Sequence, residues 1–536
     1  MTGPGVPRSP TPVSEIRAAP DGVTERLGGK RVAVPADVVQ RIAGTGAEVR
    51  TGESDRACAG RDWWPVAIAW AEGGQVPALP SVVVRPTSPE QVSAVLASCS
   101  AAGVPVTPGA GRSGVCGGSV PLFGGVALEL TGLRGPIVVD ETSLVADIPA
   151  GWFGPDLESE LRARGAGYTL GHWPQSMDLS TVGGWLACRG AGQYSTRYGK
   201  IEDMVIGLQV VLADGRVVET EGAGPRAATG PNLTQLFVGS EGTLGVITGA
   251  RFRVHPVPPA QGRRAFGFAT FAAGLDACRR VLRRGATPAV LRLYDPVESA
   301  RNFELDDTCV LIVLDEADPD LLAATLAVVD EECAAGGEAG AAPAAPLDDA
   351  LVERWLSHRN DVSALAPLWR GGVVVDTVEV AGRWSTLAGL ADEVVADLTG
   401  MEGTLVASVH QSHAYLDGAC LYFTFAGRAP TDDGAHQPGT GGAGPGPPTA
   451  DPDGVLRWQE AYYRRAWDVV TETVRRHGVA ISHHHGIGVN RSRFLPGALG
   501  GAFAVLSSIK AALDPAGILN PGKLGLPSDF GPVPWP

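Results

Sequence analysis

The first half of the chain alternates between short β-branched runs and stretches with helical spacing of apolar residues. SVVVRP, from Ser81, predicts a buried strand. Ser88 and Pro89 then supply a helix N-cap and first turn, and apolar residues at helical spacing follow from Val92 to Cys99. GVPVTP, VALEL and LVADI predict further strands, and residues 155–164 a helix. The first 255 residues therefore predict strands and helices separated by glycine-rich turns.

The pattern changes near residues 255–259, where HPVPP marks a domain boundary. The runs FGFATF, TCVLIVLD, VVVDTVEV and GACLYFTF then predict strands between alanine-rich helices, typical of an α+β domain. Residues 431–454 are of low complexity and predict a surface loop. A helix from about Trp458 to His477, a histidine cluster and a helix over residues 499–513 complete the chain.

Composition and charge narrow the function classes. The chain has 536 residues, which predicts two or three domains. Its net charge of −15 argues against nucleic acid and anionic membrane surfaces as dominant partners. The eight cysteines include no CxxC pair, so neither a zinc site nor a disulfide framework is expected. No signal peptide and no apolar run of about eighteen residues is visible, which predicts a cytoplasmic protein.

Three glycine-rich segments are candidates for a cofactor site. PGAGRSGVCGG, residues 108–118, follows a strand, and its glycines allow backbone N–H groups to face an anion such as a pyrophosphate. The second segment, residues 171–217, has a Gly-Gly pair after Ser180 and Thr181. The third, residues 236–258, contains Gly-Ser-Glu-Gly-Thr before a strand. Alone, the first fits neither a Rossmann fingerprint nor a P-loop.

Together and in this order, the three segments resemble the FAD domain of the vanillyl-alcohol oxidase (PCMH-type) family. The resemblance covers residues 81–257, with support from DPAGILNPGKL at 514–524. It implies an α+β fold of two domains, an FAD-binding PCMH-type domain and an α+β cap. The expected organisation is a disordered tail at 1–28, an N-terminal helical segment at 29–80, the FAD domain at 81–257, the cap at 258–455 and a C-terminal helical segment at 456–536.

The resemblance also implies which residues hold FAD. Some members attach the flavin to a histidine of the first loop, and Arg112 stands at that position here, so FAD is expected to be bound non-covalently. The expected cofactor-binding residues are Pro108, Gly109, Ala110, Gly111, Arg112, Ser113, Gly114, Gln175, Ser176, Asp178, Ser180, Thr181, Gly183, Gly184, Cys188, Arg189, Ala191, Glu241, Gly242, Thr243, Gly245 and Ile247.

Longer motifs are similar to the alkyldihydroxyacetonephosphate synthase branch of that family. They are GHxPxSxxxSTVGGW with YGxIED, SHxYxxGACxYF over residues 412–423, and HHHGIG over residues 483–488. The branch exchanges the acyl group of acyl-dihydroxyacetone phosphate for a fatty alcohol through a flavin N5 adduct, in ether-lipid synthesis. The similarity implies that the catalytic residues are Tyr422, His483, His484 and His485. It implies that the substrate-binding residues are Arg292, Arg359 and His172.

Some positions depart from that branch. Val489, Asn490 and Arg491 follow HHHG where the branch has a basic stretch, and the phosphate-binding arginine has no secure counterpart, with Arg359 and Arg370 as candidates. An FAD-dependent D-2-hydroxy acid dehydrogenase or oxidase therefore stays an alternative. In that enzyme Arg292 would clamp the carboxylate bidentately and a histidine of residues 483–485 would take the hydroxyl proton. A flavin-binding protein without catalysis is the third hypothesis.

Two expectations concern the chemistry of the site. A tyrosine has an ordinary pKa of about 10, so Tyr422 needs a cationic or hydrogen-bonding neighbour to act as a base. In a strand, His483 and His485 would face one way and His484 the other, so no metal site is expected.

The binding partner is expected to be a small-molecule or lipid anionic substrate, while peripheral membrane contact and a homodimer stay open.

Overall fold

The computed structural model describes residues 22–220, 225–336, 342–361, 365–430 and 452–535. Most of the predicted tail at 1–28 and of the predicted loop at 431–454 lies outside these residues. Within the described part of the chain, no single helix is long and apolar enough to cross a membrane. By length and composition alone one bent pair passes, Ser492–Leu499 followed at 116° by Gly501–Leu513.

The described residues form twenty strands. They are β1 (Thr24–Glu25), β2 (Glu48–Arg50), β3 (Gln75–Val76), β4 (Val82–Arg85), β5 (Val106–Gly109), β6 (Val126–Glu129), β7 (Val138–Asp140), β8 (Val145–Pro149), β9 (Tyr168–Thr169), β10 (Val205–Val211), β11 (Val217–Glu219), β12 (Val246–Arg253), β13 (His255–Pro256), β14 (Ala260–Phe268), β15 (Val290–Tyr294), β16 (Cys309–Ala317), β17 (Ala345–Leu347), β18 (Val373–Arg383), β19 (Thr404–Ala414) and β20 (Gly418–Arg428).

The same residues form eighteen α-helices. They are α1 (Ala36–Gly44), α2 (Glu53–Ala59), α3 (Val66–Glu72), α4 (Pro89–Ala102), α5 (Gly154–Arg162), α6 (Val182–Cys188), α7 (Ser195–Tyr198), α8 (Ile201–Met204), α9 (Leu233–Phe237), α10 (Phe271–Arg283), α11 (Pro296–Phe303), α12 (Pro319–Ala334), α13 (Ala350–His358), α14 (Leu365–Arg370), α15 (Trp384–Thr399), α16 (Pro452–Arg476), α17 (Leu495–Leu499) and α18 (Gly501–Leu513).

The chain divides into two compact units. Unit 1 contains the chain up to Ala191, residues Lys200–Val257 and the chain from His484 on. Unit 2 contains Gly192–Gly199 and Pro258–His483. The segment 456–536, expected as one C-terminal element, is thus shared between the units and changes unit inside the histidine cluster. Each unit has its own sheets.

Unit 1 is built on a four-stranded sheet of order β2-β4-β6-β5 and a five-stranded sheet of order β11-β10-β12-β8-β7. Strands β4, β6 and β5 run parallel, and the five-stranded sheet is antiparallel. The predicted strand–helix unit is confirmed, since Ser88 caps α4 by accepting from Gln91 N. Val92, Val95 and Leu96 bury the apolar face of α4 in the core of this unit.

Unit 2 is built on one antiparallel seven-stranded sheet of order β17-β14-β16-β15-β19-β20-β18. The four runs predicted as strands correspond to β14, β16, β18 and β20, so those predictions are confirmed. Strands β15 and β19, which lie side by side at the centre of the sheet, were not predicted from the sequence. β15 carries Arg292 and Tyr294, and β19 carries His410, whose ring stacks on that of Tyr422.

Candidate functional site

The first glycine-rich loop of unit 1 leaves β5 and packs tightly against the second. A Cβ atom on Gly111 would lie 2.1 Å from the carbonyl oxygen of Leu179, so only glycine allows the two backbones to approach. The guanidinium of Arg112 donates from Nη1 to the carbonyl oxygens of Ala59, at 2.9 Å, and Ser119, at 3.3 Å. Arg112 therefore holds the shape of this loop.

The second loop contains the N-terminus of α6. Thr181 caps this helix by accepting from Gly184 N at 3.4 Å, and a Cβ atom on Gly183 would lie 2.9 Å from the Cβ of Ala150. The hydroxyl of Ser180 donates to the Ser176 carbonyl and accepts from the indole of Trp185. These expected cofactor residues thus shape the helix terminus.

Further residues expected to bind the cofactor differ in how exposed they are to solvent. Among them, Gln175 and Asp178 are exposed, while Ala110 and Ala191 are buried. Arg189 ends α6 with a φ of +54° and pairs with Glu202 at 3.5 Å. Burial raises the pKa of the Cys188 thiol well above its ordinary value, which keeps this cysteine protonated at neutral pH.

The third loop joins the first loop to the histidine segment. Gly242 has a φ of +72°, and a Cβ atom there would lie 2.5 Å from Cγ of Pro108. Glu241, buried with a φ of +50°, accepts from the backbone N–H groups of Ile487 at 2.5 Å and Gly488 at 2.8 Å. One carboxylate therefore clamps the turn that follows the three histidines.

The expectation that the histidines lie in a strand is wrong. The backbone bends at each of residues 483–485, and Gly486 and Gly488 have positive φ values of +80° and +54°. The backbone N–H groups of Ile487 and Gly488 donate to Glu241, so they do not pair with a neighbouring strand. The rings of His484 and His485 meet edge to face at 4.5 Å between centroids.

The C-terminal DPAGILNPGKL turn holds the loops of unit 1 in place through Asn520 and Lys523, which were not predicted as site residues from the sequence. The Asn520 amide donates to the carbonyls of Gly118, at 2.9 Å, and Glu241, at 2.7 Å. Lys523 is fully buried and donates to Val120 O at 2.7 Å. Burial lowers the pKa of Lys523 to about 7. The sequence signal for Asn520 and Lys523 was their place in the DPAGILNPGKL motif, and their burial is seen only in the structure.

In unit 2, four strands place a row of polar side chains on one face of the sheet. His410 of β19 lies directly opposite Tyr294 of β15 and Tyr422 of β20, and Tyr422 lies opposite Glu379 of β18. Directly opposed residues of antiparallel strands share a face. The His410 ring stacks on Tyr422 with centroids 4.8 Å apart and planes inclined by 20°.

The row extends to Arg292, two residues before Tyr294 on the same face. Its Nη2 lies 2.6 Å from Nε2 of His410, while Nδ1 of His410 lies 2.8 Å from Glu298 of α11. The hydroxyl of Tyr422 accepts from Thr377 at 3.1 Å. The structure therefore joins Arg292 and Tyr422, two residues selected from the sequence, through His410, which was not selected.

Burial sets the protonation of this group. Desolvation raises the pKa of the Tyr422 phenol well above its ordinary value and lowers the pKa of the His410 imidazole. Burial would also raise the pKa of Glu298, but the hydrogen bond from His410 and the charge of Arg301 lower it overall. At neutral pH the group thus contains a neutral phenol, a neutral imidazole and a carboxylate.

The guanidinium groups of Arg359 and Arg292 both contact Trp355. The guanidinium carbon of Arg359 lies 5.5 Å from the Trp355 ring centroid and 5.2 Å from that of Tyr194, and Arg292 lies 6.0 Å from the Trp355 ring. Among the described residues, Nε of Arg292 and Nη1 of Arg359 are buried without a hydrogen-bond partner. Two guanidinium groups with unused N–H donors are typical of a site for an anion.

A second polar cluster of unit 2 contains His483. The hydroxyl of Ser195 lies 2.7 Å from Nδ1 of His413, and the hydroxyl of Tyr415 lies 3.0 Å from Nε2 of His483. The two imidazole rings stack with centroids 4.9 Å apart. Glu379 accepts from the backbone N–H of His483 at 3.2 Å. His413 and Tyr415 belong to the SHxYxxGACxYF motif, which was the sequence signal for this cluster.

Comparisons with known proteins identify the family. Residues 80–221 match the FAD binding domain, and residues 257–524 match the C-terminal domain of FAD linked oxidases. The chain belongs to the FAD-linked oxidase family. Its fold is the two-domain FAD-binding PCMH-type fold, as the resemblance implied, and FAD is its cofactor.

Curated relatives of this FAD-linked oxidase carry different names. The chain is 30% identical to the uncharacterized FAD-linked oxidoreductase YgcU of Escherichia coli K12, over 83% of this chain and 89% of the relative. It is 28% identical to the alkyldihydroxyacetonephosphate synthase of Dictyostelium discoideum, over 84% and 74%. It is 26% identical to the glycolate oxidase subunit GlcD of Bacillus subtilis, over 84% and 90%.

Solved structures share the fold. A structure of an alkyldihydroxyacetonephosphate synthase superposes with a TM-score of 0.73 at 24% identity, covering 97% of this chain and 90% of the other. The 4-ethylphenol oxidase from Gulosibacter chungangensis superposes with a TM-score of 0.68 at 18% identity, covering 93% and 99%.

Unit 1 of this FAD-linked oxidase offers unused polar groups for the cofactor. Among the described residues, both ring nitrogens of His172, the hydroxyl of Ser240 and both amide atoms of Asn490 are buried without a hydrogen-bond partner. Burial lowers the pKa of His172 to about 3, so this histidine is neutral. Each unpaired buried group costs about 1–3 kcal/mol. A bound FAD, with donors and acceptors on its rings and phosphates, fits these residues.

Proposed function

We propose that this FAD-linked enzyme is of the alkyldihydroxyacetonephosphate synthase type and exchanges the acyl group of an acyl-dihydroxyacetone phosphate for a fatty alcohol. Synthases of that name from Dictyostelium discoideum, Caenorhabditis elegans and Trypanosoma brucei brucei are 26–28% identical over 84–87% of the chain. The observation that carries the proposal is the linked group of Arg292, His410 and Tyr422, with Arg359 beside the same tryptophan.

The side chains divide the work of the reaction. Arg292 and Arg359 bind the phosphate with their unused N–H groups, because guanidinium donors match the oxygens of a phosphate bidentately. FAD supplies the electron-accepting ring system of the reaction. The hydroxyl of Tyr422 accepts from Thr377 and burial raises its pKa, so Tyr422 keeps its own proton at neutral pH and is assigned as a donor rather than as the base considered from sequence. The His413–His483 pair is then the candidate proton acceptor.

The second candidate is the oxidation of a D-2-hydroxy acid. It is favoured by the glycolate oxidase subunit GlcD, of which the chain covers 90% at 26% identity. It is also favoured by the segment Val489–Arg491, which stands where the synthase branch has a basic stretch and whose one cation, Arg491, is buried. In this reaction Arg292 and Arg359 would bind the carboxylate, and the same histidine pair would accept the hydroxyl proton.

Anaerobic absorbance spectra of the FAD-loaded protein separate the two candidates. We expect palmitoyl-dihydroxyacetone phosphate to bleach the oxidised flavin band with release of palmitate, and a fatty alcohol to restore the colour. Bleaching by a D-2-hydroxy acid, reversed only by an electron acceptor, would replace the synthase proposal with the dehydrogenase.

Tyr422→Phe tests the role of the phenol. We expect turnover to fall by about 10²–10⁴-fold, since a positioned proton donor contributes that much, while the FAD content stays the same. Tyr463→Phe is the matched control, because Tyr463 is a buried tyrosine of the same unit whose hydroxyl donates to Asp376 at 2.7 Å. Equal turnover in the two variants would remove Tyr422 from the chemistry.

A further inference from the structure

The side chain of Glu298 is held as an acceptor for the ring of His410. Its Oε1 accepts from the hydroxyls of Ser408, at 3.0 Å, and Thr424, at 3.1 Å, while Oε2 lies 2.8 Å from Nδ1 of His410. Arg301 lies 3.5 Å from Oε1. Surrounded by donors and a cation, Glu298 is a carboxylate that can only accept hydrogen bonds. Nδ1 of His410 therefore carries the proton.

The other ring nitrogen of His410, Nε2, faces a hydrogen-bond donor. Nε2 lies 2.6 Å from Nη2 of Arg292, and a guanidinium group can only donate. Nε2 must then present its lone pair. A single tautomer of a neutral His410 satisfies both neighbours, and the carboxylate of Glu298 selects it.

The same ring also supports Tyr422, on which it stacks at 4.8 Å. We propose that His410, oriented by Glu298, is the positioning residue that holds the guanidinium of Arg292 for the anionic group of the substrate and the ring of Tyr422 beside it. His410 acts through these two residues and does not itself contact the substrate. The inference rests on the proposed function in one respect, the binding of the substrate anion by Arg292.

The first test measures the affinity of the FAD-loaded protein for two unreactive anions, glycerol 3-phosphate and oxalate, by titration calorimetry. We expect His410→Leu to weaken binding by about 10–100-fold, because the hydrogen bond that orients a charged group is lost. His410→Gln should lose much less, since its amide oxygen can accept from Arg292. His477→Leu, which breaks a comparable His–Glu pair with Glu393 at 2.6 Å in the same unit, should bind as the parent does.

The comparison of the two anions also identifies the charged group that the site prefers. A larger loss for glycerol 3-phosphate than for oxalate assigns Arg292 to a phosphate, and the reverse assigns it to a carboxylate. Both results support the positioning role. Equal affinity in His410→Leu and the parent protein would overturn it.

A double variant separates failure of this inference from failure of the proposed function. If His410 acts through Arg292, the loss from His410→Leu should disappear in an Arg292→Ala background. Full additivity would overturn the inference alone. If Arg292→Ala itself leaves both affinities unchanged, the anion-binding part of the proposed function fails and the positioning role with it.

A spectroscopic measurement tests the tautomer of His410 without any substrate. Nitrogen chemical shifts of the ¹⁵N-histidine-labelled protein distinguish a protonated ring nitrogen from one with a lone pair. We expect a signal with Nδ1 protonated and Nε2 unprotonated that is missing from His410→Gln. A protonated Nε2 at His410 would contradict the arrangement.

Discussion

The protonation of individual residues in unit 2 depends on burial and on the immediate hydrogen-bond partners. His410 is buried between the carboxylate of Glu298 and the guanidinium of Arg292, and Arg301 lies on the far side of the carboxylate. Desolvation is the largest cause of the shift in its pKa, which falls from 6.5 to about 4. The residue therefore stays neutral through the physiological range, where an exposed histidine would titrate.

This shift predicts a dependence of stability on pH. Between pH 6.5 and about 4 the unfolded chain binds a proton at His410 that the folded protein does not bind. The free energy of unfolding should therefore fall as the pH drops through that window. His410→Gln removes the titrating group, so its denaturant midpoint should depend less steeply on pH than that of the parent.

His477→Gln provides the comparison for this measurement, because His477 is only partly buried in its pair with Glu393. Urea midpoints of the three proteins are measured at several pH values across the window. A parallel decline in the parent protein and His410→Gln would show that other groups cause the acid sensitivity.

At the scale of elements, the glycine-rich loops of unit 1 are specified by close backbone contact. Gly111 contacts the backbone of Leu179, Gly242 contacts Pro108, and a Cβ atom on Gly488 would lie 2.1 Å from the Cys116 carbonyl oxygen. These contacts join segments far apart in sequence. The glycines that suggested a cofactor loop are thus also required for packing the loops together.

Gly111→Ala tests this packing. The added Cβ would lie 2.1 Å from Leu179 O, so the two loops must separate, and we expect loss of FAD and destabilisation of about 1–3 kcal/mol or more. Gly44→Ala is the control in the same unit, because a Cβ atom on Gly44 would meet no atom within 4 Å and Gly44 is not among the expected cofactor residues. FAD content and urea midpoint are the measurements. Equal FAD retention in both variants would contradict the packing argument.

At the scale of the whole molecule, the last described residues pack with the beginning of unit 1. The Trp535 ring contacts those of Trp64 and Trp70, with centroids 4.9 and 5.8 Å apart. Asn520 N donates to Val106 O, and Val106 N donates to Ile518 O, both at 2.8 Å. The C-terminal segment therefore packs into the core of unit 1 and pairs with the edge strand β5 of its four-stranded sheet.

Trp535→Ala measures how much this closure contributes. We expect the free energy of unfolding to fall by about 3–5 kcal/mol, the usual cost of truncating a buried aromatic residue. Denaturant unfolding followed by tryptophan fluorescence provides the value. The neighbouring Pro532 is exposed, so Pro532→Ala should have little effect. Similar small losses in both variants would mean that the terminus is not part of the core.

The sequence by itself determined the features that depend on local pattern. Alternating and helical spacing predicted β4, α4, β14, β16, β18 and β20, and the order of three glycine-rich segments indicated the FAD-linked family. It also selected Arg292 and Tyr422. Local pattern suffices for these because strand and helix periods, caps and motifs are properties of neighbouring residues.

Only the tertiary structure decided which residues act together. Arg292 and His410 are 118 positions apart, and His410 and Glu298 are 112 apart, so no local period connects them. The register of β15, β19 and β20 brings Arg292, His410 and Tyr422 onto one face, and α11 supplies Glu298. The raised pKa of Tyr422, which keeps its phenol protonated at neutral pH, follows from desolvation in that face. Burial and strand register exist only once the chain is folded, which is why the sequence did not reveal them.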